Sequence, residues 1–181
     1  MDFAQSFLFE LNKCRLNPEQ YTYKVLAHMK FIKQDNTNTK FINYMYKRDG
    51  EANIMLNKGK EAFEKCIEIL HNTQPLEPLE LKSELTIKVP DDKELWTDIE
   101  FLKRKCNEKK EEYNTIQENA FHFDIGSSNP EVSLIMQLVD DTSFRGIRTS
   151  NLLSKEFKYI GIDNQMFDNI SCGYFYLASN I

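Results

Sequence analysis

Three histidines, four cysteines and two neighbouring arginines are the side chains on which chemistry in this sequence would have to rest. His122 follows Glu118 by four residues, and on a strand such residues face the same way, so an imidazole–carboxylate contact is possible there. The plainer expectation is a polar surface pair. His28 and His71 fall at the ends of expected helices, where the C-terminal dipole favours a positive charge. The cysteines stand at 14, 66, 106 and 172 with no CxxC pair, which argues for reduced thiols over a disulfide framework. Cys172 invites a thiol nucleophile, but its place in a closing strand predicts a buried small hydrophobe. Arg145 and Arg148 are spaced to clamp an anion or a partner, or to tie a loop to Asp140 and Asp141. With only 6 glycines there is no Gly-rich phosphate loop, and no His/Cys/Asp/Glu spacing marks a metal site or a cofactor.

The elements that must position these residues are mostly helical. Asp2 caps a first helix whose Phe3, Phe7, Leu11 and Cys14 share a face. Asn17-Pro18 starts a second helix, which buries Tyr21 and Val25 and ends near Met29. Residues 30–59 show no clean period and read as a loop-rich insertion, with a short helix possible at 40–47. Lys60–His71 is a strong helix, with Phe63, Cys66, Ile67 and Leu70 on one face, and Gln74-Pro75 stops it. Residues 75–79 form an extended connector. Asp91 and Asp92 cap a charged helix through 112, with Leu95, Ile99, Leu102 and Cys106 on one side. Residues 120–125 alternate weakly, as a strand would. Asn129-Pro130 opens a helix carrying Val132, Ile135, Met136 and Val139. Phe157–Asp163 and Ser171–Ser179 read as an antiparallel pair joined by a polar turn. Helices first and strands late predict a single α+β domain over 1–181.

Composition narrows the function. The chain has 181 residues, and Leu, Ile, Val and Phe make up about a quarter of it, enough for one real core. Its net charge of −5 argues against nucleic acid, whose binders carry basic stripes. No apolar run reaches the roughly 18 residues of a membrane span. The opening Met1-Asp2-Phe3 has no signal-peptide pattern, so the expected location is the cytoplasm. Lys outnumbers Arg 18 to 5 and Asn stands at 16, the bias of an AT-rich genome.

Four stretches together resemble the CAP superfamily (cysteine-rich secretory, antigen 5, pathogenesis-related-1; the SCP domain). L-F-E-L-N-K-C-R-L-N-P-E-Q-Y at 8–21 is similar to its first helix, L-x-x-x-N-x-x-R-x-x-P-x-x-[YF]. The helix at 60–71 followed by P-L-E-P-L at 75–79 is similar to the region ahead of its central helix. Q-E-N-A at 117–120 resembles its G-E-N turn, and D-D-T-S-F-R-G-I-R-T-S-N-L-L at 140–153 its D-D-x-x-x-S-R-G-H-R segment. F-K-Y-I-G-I-D and I-S-C-G-Y-F-Y-L-A resemble its closing strands. The resemblance implies a three-layer α-β-α sandwich with a small antiparallel sheet. It also implies a cleft of two His and two Glu, which in this chain is broken. Ile147 stands where the family has His, and isoleucine can neither ligate nor titrate. No His lies between residues 72 and 121, where the family has its other one, and the charged helix over 91–112 is divergent. Glu118 matches one family Glu; the second has no secure counterpart, Glu94 and Glu100 being candidates of position only.

These features predict a domain without metal, cofactor or catalysis, a pseudoenzyme. It would act as an intracellular structural or interaction subunit among protein partners in a larger assembly, with a cytoskeletal or ciliary (axonemal) one as an instance. The alternatives are a lipid or small-ligand carrier and a hydrolase with a rebuilt site. Trp96 and the many Phe and Tyr residues serve either a binding face or a core.

Overall fold

A computed structural model describes residues 1–35, 43–141, 146–168 and 170–181. Among the described residues six α-helices run in chain order: α1 Phe3–Leu16, α2 Pro18–His28, α3 Lys60–Asn72, α4 Ile99–Glu112, α5 Pro130–Val139 and α6 Ile147–Leu152. The seven strands are β1 Ile32–Asp35, β2 Asn43–Tyr46, β3 Ile54–Leu56, β4 Glu80–Leu81, β5 Asn119–Gly126, β6 Tyr159–Phe167 and β7 Ile170–Ala178. The main sheet has the order β4-β6-β7-β5. Its β6–β7 and β7–β5 pairs are antiparallel, while the two-residue β4 joins β6 in parallel, so the sheet is mixed.

Side-chain alternation across this sheet builds two cores. Ile160, Ile162, Phe175 and Leu177 pack with α1, α2, α3 and α5 through Phe7, Leu11, Val25, Phe63 and Val132. The opposite face, with Cys172, Tyr174, Tyr176 and Ala178, packs on Leu85, Trp96, Ile116 and Leu102 of α4. The fold is therefore α+β, with helices on both faces of the sheet. Trp96 is a core residue whose indole N–H donates to the Pro90 carbonyl at 2.9 Å.

The helix starts follow capping chemistry. Asp2 accepts from the Gln5 N–H, and Asn129 accepts from the Glu131 and Val132 N–H groups ahead of Pro130. The charged helix begins later than its sequence predicts. Asp98, not Asp91 or Asp92, caps α4, and Asp92 caps a one-turn helix at Lys93–Leu95. Leu95 therefore precedes α4 and Ile99 is exposed, while Leu102 holds the helix to the core.

The loop-rich reading of residues 30–59 needs correction. β1, β2 and β3 form an antiparallel sheet, with Ile32 opposite Tyr46 and Tyr46 opposite Ile54. Residues 43–46 are strand where a helix was possible, and the rest of 36–42 lies outside the described residues. Tyr46, Leu56 and Ile32 anchor this small sheet in the first core.

Two close approaches fix the main sheet against its neighbours. At Gly161 a side-chain Cβ would collide with the Leu85 carbonyl, so only glycine lets the one-turn helix Ser83–Leu85 lie on β6. Asp163, buried on β6, accepts from the Val89 N–H at 2.9 Å and from Lys88 Nζ at 2.8 Å, holding residues 86–90 extended.

Candidate functional site

The polar residues of the helical layer converge on β5. His122 points into the side covered by α5 and α6, where Asn151 Nδ2 donates to its Nε2 at 3.0 Å. With the amide so oriented, the neutral ring carries its proton on Nδ1. That nitrogen and Gln137 Oε1 are both buried and neither makes a well-aligned hydrogen bond. Gln137 lies close enough to favour the protonated ring, without a hydrogen bond to it. Gln137 Nε2 lies 3.4 Å from Ser133 Oγ, and the Ser133 hydroxyl donates to Asp124 Oδ2 at 2.6 Å. Two short runs therefore lie side by side, Asn151 to His122 and Gln137 through Ser133 to the Asp124 carboxylate.

The electrostatics follow from burial. Desolvation, reinforced by the Arg148 charge, lowers the His122 pKa to about 4, so the ring is neutral at neutral pH. Burial raises the Asp124 carboxyl, against the opposing pull of the Ser133 hydroxyl and Arg148. Arg148 caps the cluster. Its backbone N–H donates to Asp140 Oδ2 at 3.1 Å, its Nε lies 3.8 Å from Asp140 Oδ1, and its guanidinium sits 5.7 Å from the centre of the Phe123 ring. Asp140 can serve this way because it ends α5 in the left-handed conformation, φ 42°.

A second polar cluster surrounds His28. Its Nδ1 lies 2.7 Å from the Tyr46 hydroxyl, and its Nε2 lies 3.2 Å from Glu131 Oε1. Lys24 bridges Glu131 and Glu10, at 2.6 Å each. Burial lowers the His28 pKa, and Glu131 opposes that shift. Here the ring joins β2 of the small sheet to α2 and α5.

The sequence-derived candidates are placed as follows. Glu118 is exposed ahead of β5. Its backbone bonds Ser179 in both directions, and among the described residues its carboxylate bonds nothing. Glu118 and His122 do not meet, and His122 is buried instead of forming a surface pair. Ile147 is 54% exposed at the start of α6. Arg148 takes the structural alternative, on Asp140; Arg145 lies outside the described residues. His71 is exposed near Glu19. The four cysteines are free; Cys14, Cys66 and Cys172 are buried, and burial pushes the Cys172 thiol up to about 12. Among the described residues no three His, Cys, Asp or Glu side chains converge as metal ligands would.

Sequence reasoning missed two residues that tie the fold together. Arg15 is 1% exposed; its Nε donates to Glu77 O at 2.8 Å, and its Nη1 to Leu152 O at 2.7 Å and Ser154 O at 3.0 Å. Asn12 donates to Leu79 O at 2.9 Å and accepts from Leu79 N at 2.8 Å. Together they fasten α1 to the 75–79 connector and to the end of α6. The available signal was an Asn and an Arg three apart on the first helix, the N-x-x-R of the quoted motif.

Two open spaces adjoin these clusters. A groove of about 200 Å³ lies between β3 and β5, with Ile54, Met55, Phe123, Ile125 and Arg148 in its walls and Asp124 at its side. Another, of about 450 Å³, opens on the α1–α2 surface between Lys13, Tyr21, Tyr23 and Lys24. No family model, curated protein or solved structure matches this chain.

Proposed function

We propose that this chain is a divergent CAP-like domain that acts as a non-catalytic interaction subunit of a larger protein assembly. The observation that carries this reading is the inward use of its chemically capable side chains. Asn151 of α6 bonds His122 of β5, and Gln137 and Ser133 of α5 run to Asp124 of β5. Arg15 holds three carbonyls, and Arg148 is held by Asp140. A general base must reach a substrate proton, and the His122 ring nitrogens face two protein amides instead. The position that the resemblance assigns to a family His carries Ile147. Among the described residues no helix is long and apolar enough to cross a membrane. The location proposed with this reading is the cytoplasm, in a cytoskeletal or axonemal assembly.

A second reading, a carrier of a small ligand or lipid, draws on the 450 Å³ groove, where Tyr21 and Tyr23 offer apolar surface between Lys13 and Lys24, both already paired with Glu10. One experiment separates the two. The protein, tagged in its own cell and gently isolated, is weighed by native mass spectrometry. A particle well above 21.4 kDa with protein partners in fixed ratio is expected. A monomer carrying a lipid or small molecule would overturn the assembly reading in favour of the carrier, and a monomer with hydrolytic turnover would overturn both.

A further inference from the structure

The free side of β5 is an open strand edge. β5 ends the main sheet, with β7 on one side only. Ser179 N donates to Glu118 O at 3.0 Å, which places Glu118 in a hydrogen-bonded pair with β7. In an antiparallel ladder such pairs alternate, so residues 120, 122, 124 and 126 also turn their backbone groups toward β7. Asn119, Phe121, Phe123 and Ile125 must then point their N–H and C=O groups away from the sheet. No described residue bonds them.

Nothing in the strand blocks pairing. Its sequence, N-A-F-H-F-D-I-G, has no Pro and no Lys, and its single charge is Asp124. Ile125 is 38% exposed, and Phe121 and Phe123 are half-buried. The groove beside Phe123 and Ile125 has an apolar far wall formed by β3, itself an edge strand of the small sheet. The charges along this edge are acidic. The Glu118 carboxylate is exposed, and Asp124, half-buried against Ser133 and open to the groove, lies six residues on, on the same face of the strand. Asp141 stands across the groove. Among the described residues the cation beside Asp124 is Arg148, which Asp140 already holds.

We propose that the β5 edge is a docking site for an extended basic segment of a partner protein, which adds to the sheet as a fifth strand. This rests on the interaction-module reading and names the partner's chemistry. The segment supplies main-chain groups to Asn119, Phe121, Phe123 and Ile125. It sets apolar side chains beside Phe121, Phe123 and Ile125, and basic ones six residues apart, opposite Glu118 and Asp124. A second folded copy is the poorer occupant, because it would bring its own acidic edge against this one.

The test uses the full chain and a synthetic peptide, TVKVTVTTK, with a control carrying Glu in place of both Lys. Amide hydrogen exchange by NMR reads the edge. With the Lys peptide the N–H groups of Asn119, Phe121, Phe123 and Ile125 gain protection, while those of Ala120, His122 and Asp124 do not change. The Glu peptide binds about fivefold or more weakly, as one exposed and one half-buried charge pair imply. Ile125→Pro, which removes an outward donor and no β7 bond, and Ile125→Lys both abolish the protection. Their far-ultraviolet circular dichroism, unchanged from wild type, establishes that they fold. Unprotected edge amides at saturating peptide, equal binding of the Glu peptide, or protection that appears with protein concentration alone (self-pairing) would each overturn the proposal. A stable native complex whose edge amides stay unprotected refutes this site and leaves the assembly reading standing. A cellular monomer that still binds the peptide does the reverse.

Discussion

The two buried histidines occupy contrasting surroundings. His122 is buried beside the amides of Asn151 and Gln137, and the carboxylate two residues on, Asp124, is half-buried against the Ser133 hydroxyl. His28 borders a half-open network of ions, Glu131, Lys24, Glu10 and Arg48. The proton placement differs accordingly. The His122 ring bears it on Nδ1, toward Gln137, whereas His28 bears it on Nε2, toward Glu131, and accepts from Tyr46 at Nδ1. Burial is the leading cause of a lowered pKa in both. Only at His28 does a carboxylate pull the other way. The first cluster joins two helices to the main sheet, and the second joins the small sheet to the body. Similar residue types thus give a sealed brace in one place and a solvent-linked one in the other.

The largest expected effect comes from His122→Leu. It removes the partner of Asn151 Nδ2 beneath α6 and the buried imidazole's packing, at a cost of about 3 kcal/mol, measurable by urea unfolding at pH 7. The same variant changes the acid limb. The native ring takes its proton near pH 4 and the unfolded ring near about 6.5, so the unfolded state binds more protons between those values. Stability is therefore fully present above pH 6.5 and falls as pH drops toward 4, by about 3 kcal/mol from this group. The variant should lose that component of the slope. His28→Leu is expected to cost about 2 kcal/mol, mainly through the buried Tyr46 hydroxyl. Glu131 keeps Lys24, so the charge it leaves stays paired. Glu131→Gln is expected to cost under about 1 kcal/mol and to fade with added salt, because Lys24 and Glu131 are each about a third exposed. Glu118→Gln should stay within about 0.5 kcal/mol of wild type. If Glu118→Gln cost as much as His122→Leu, or if the histidine variants were equal and equally salt-sensitive, the contrast would fail.

The sequence made the long amphipathic elements legible and left the short or doubly covered ones obscure. Phe7, Leu11 and Cys14 on α1, and Phe63, Cys66 and Leu70 on α3, face the core as their spacing requires. β1, β2 and β3 have three or four residues each, too few for alternation to register, and their anchors Tyr46 and Leu56 lie ten residues apart. Asp91, Asp92 and Asp98 are equivalent caps on paper. The tertiary contacts of Trp96 and Leu102 selected Asp98 for α4. F-H-F-D at 121–124 suggests a strand with one wet face. A strand between two helical layers has no fully wet face, so His122 is buried and Phe121, Phe123 and Asp124 are half-buried. The polar cluster was illegible for the same reason: its members, from residue 122 to residue 151, meet only when α5 and α6 fold over β5.

The central claim is that His122 braces the fold and takes no part in acid–base chemistry. Nitrogen-15 NMR of the imidazole, followed from pH 8 to pH 4, tests it most directly. The expected result is a neutral ring with its proton on Nδ1 down to about pH 5, with protonation approached only near pH 4, where the native state weakens. A ring that titrates near its ordinary value of about 6.5, or that carries its proton on Nε2, would contradict the claim and return His122 to the set of working residues.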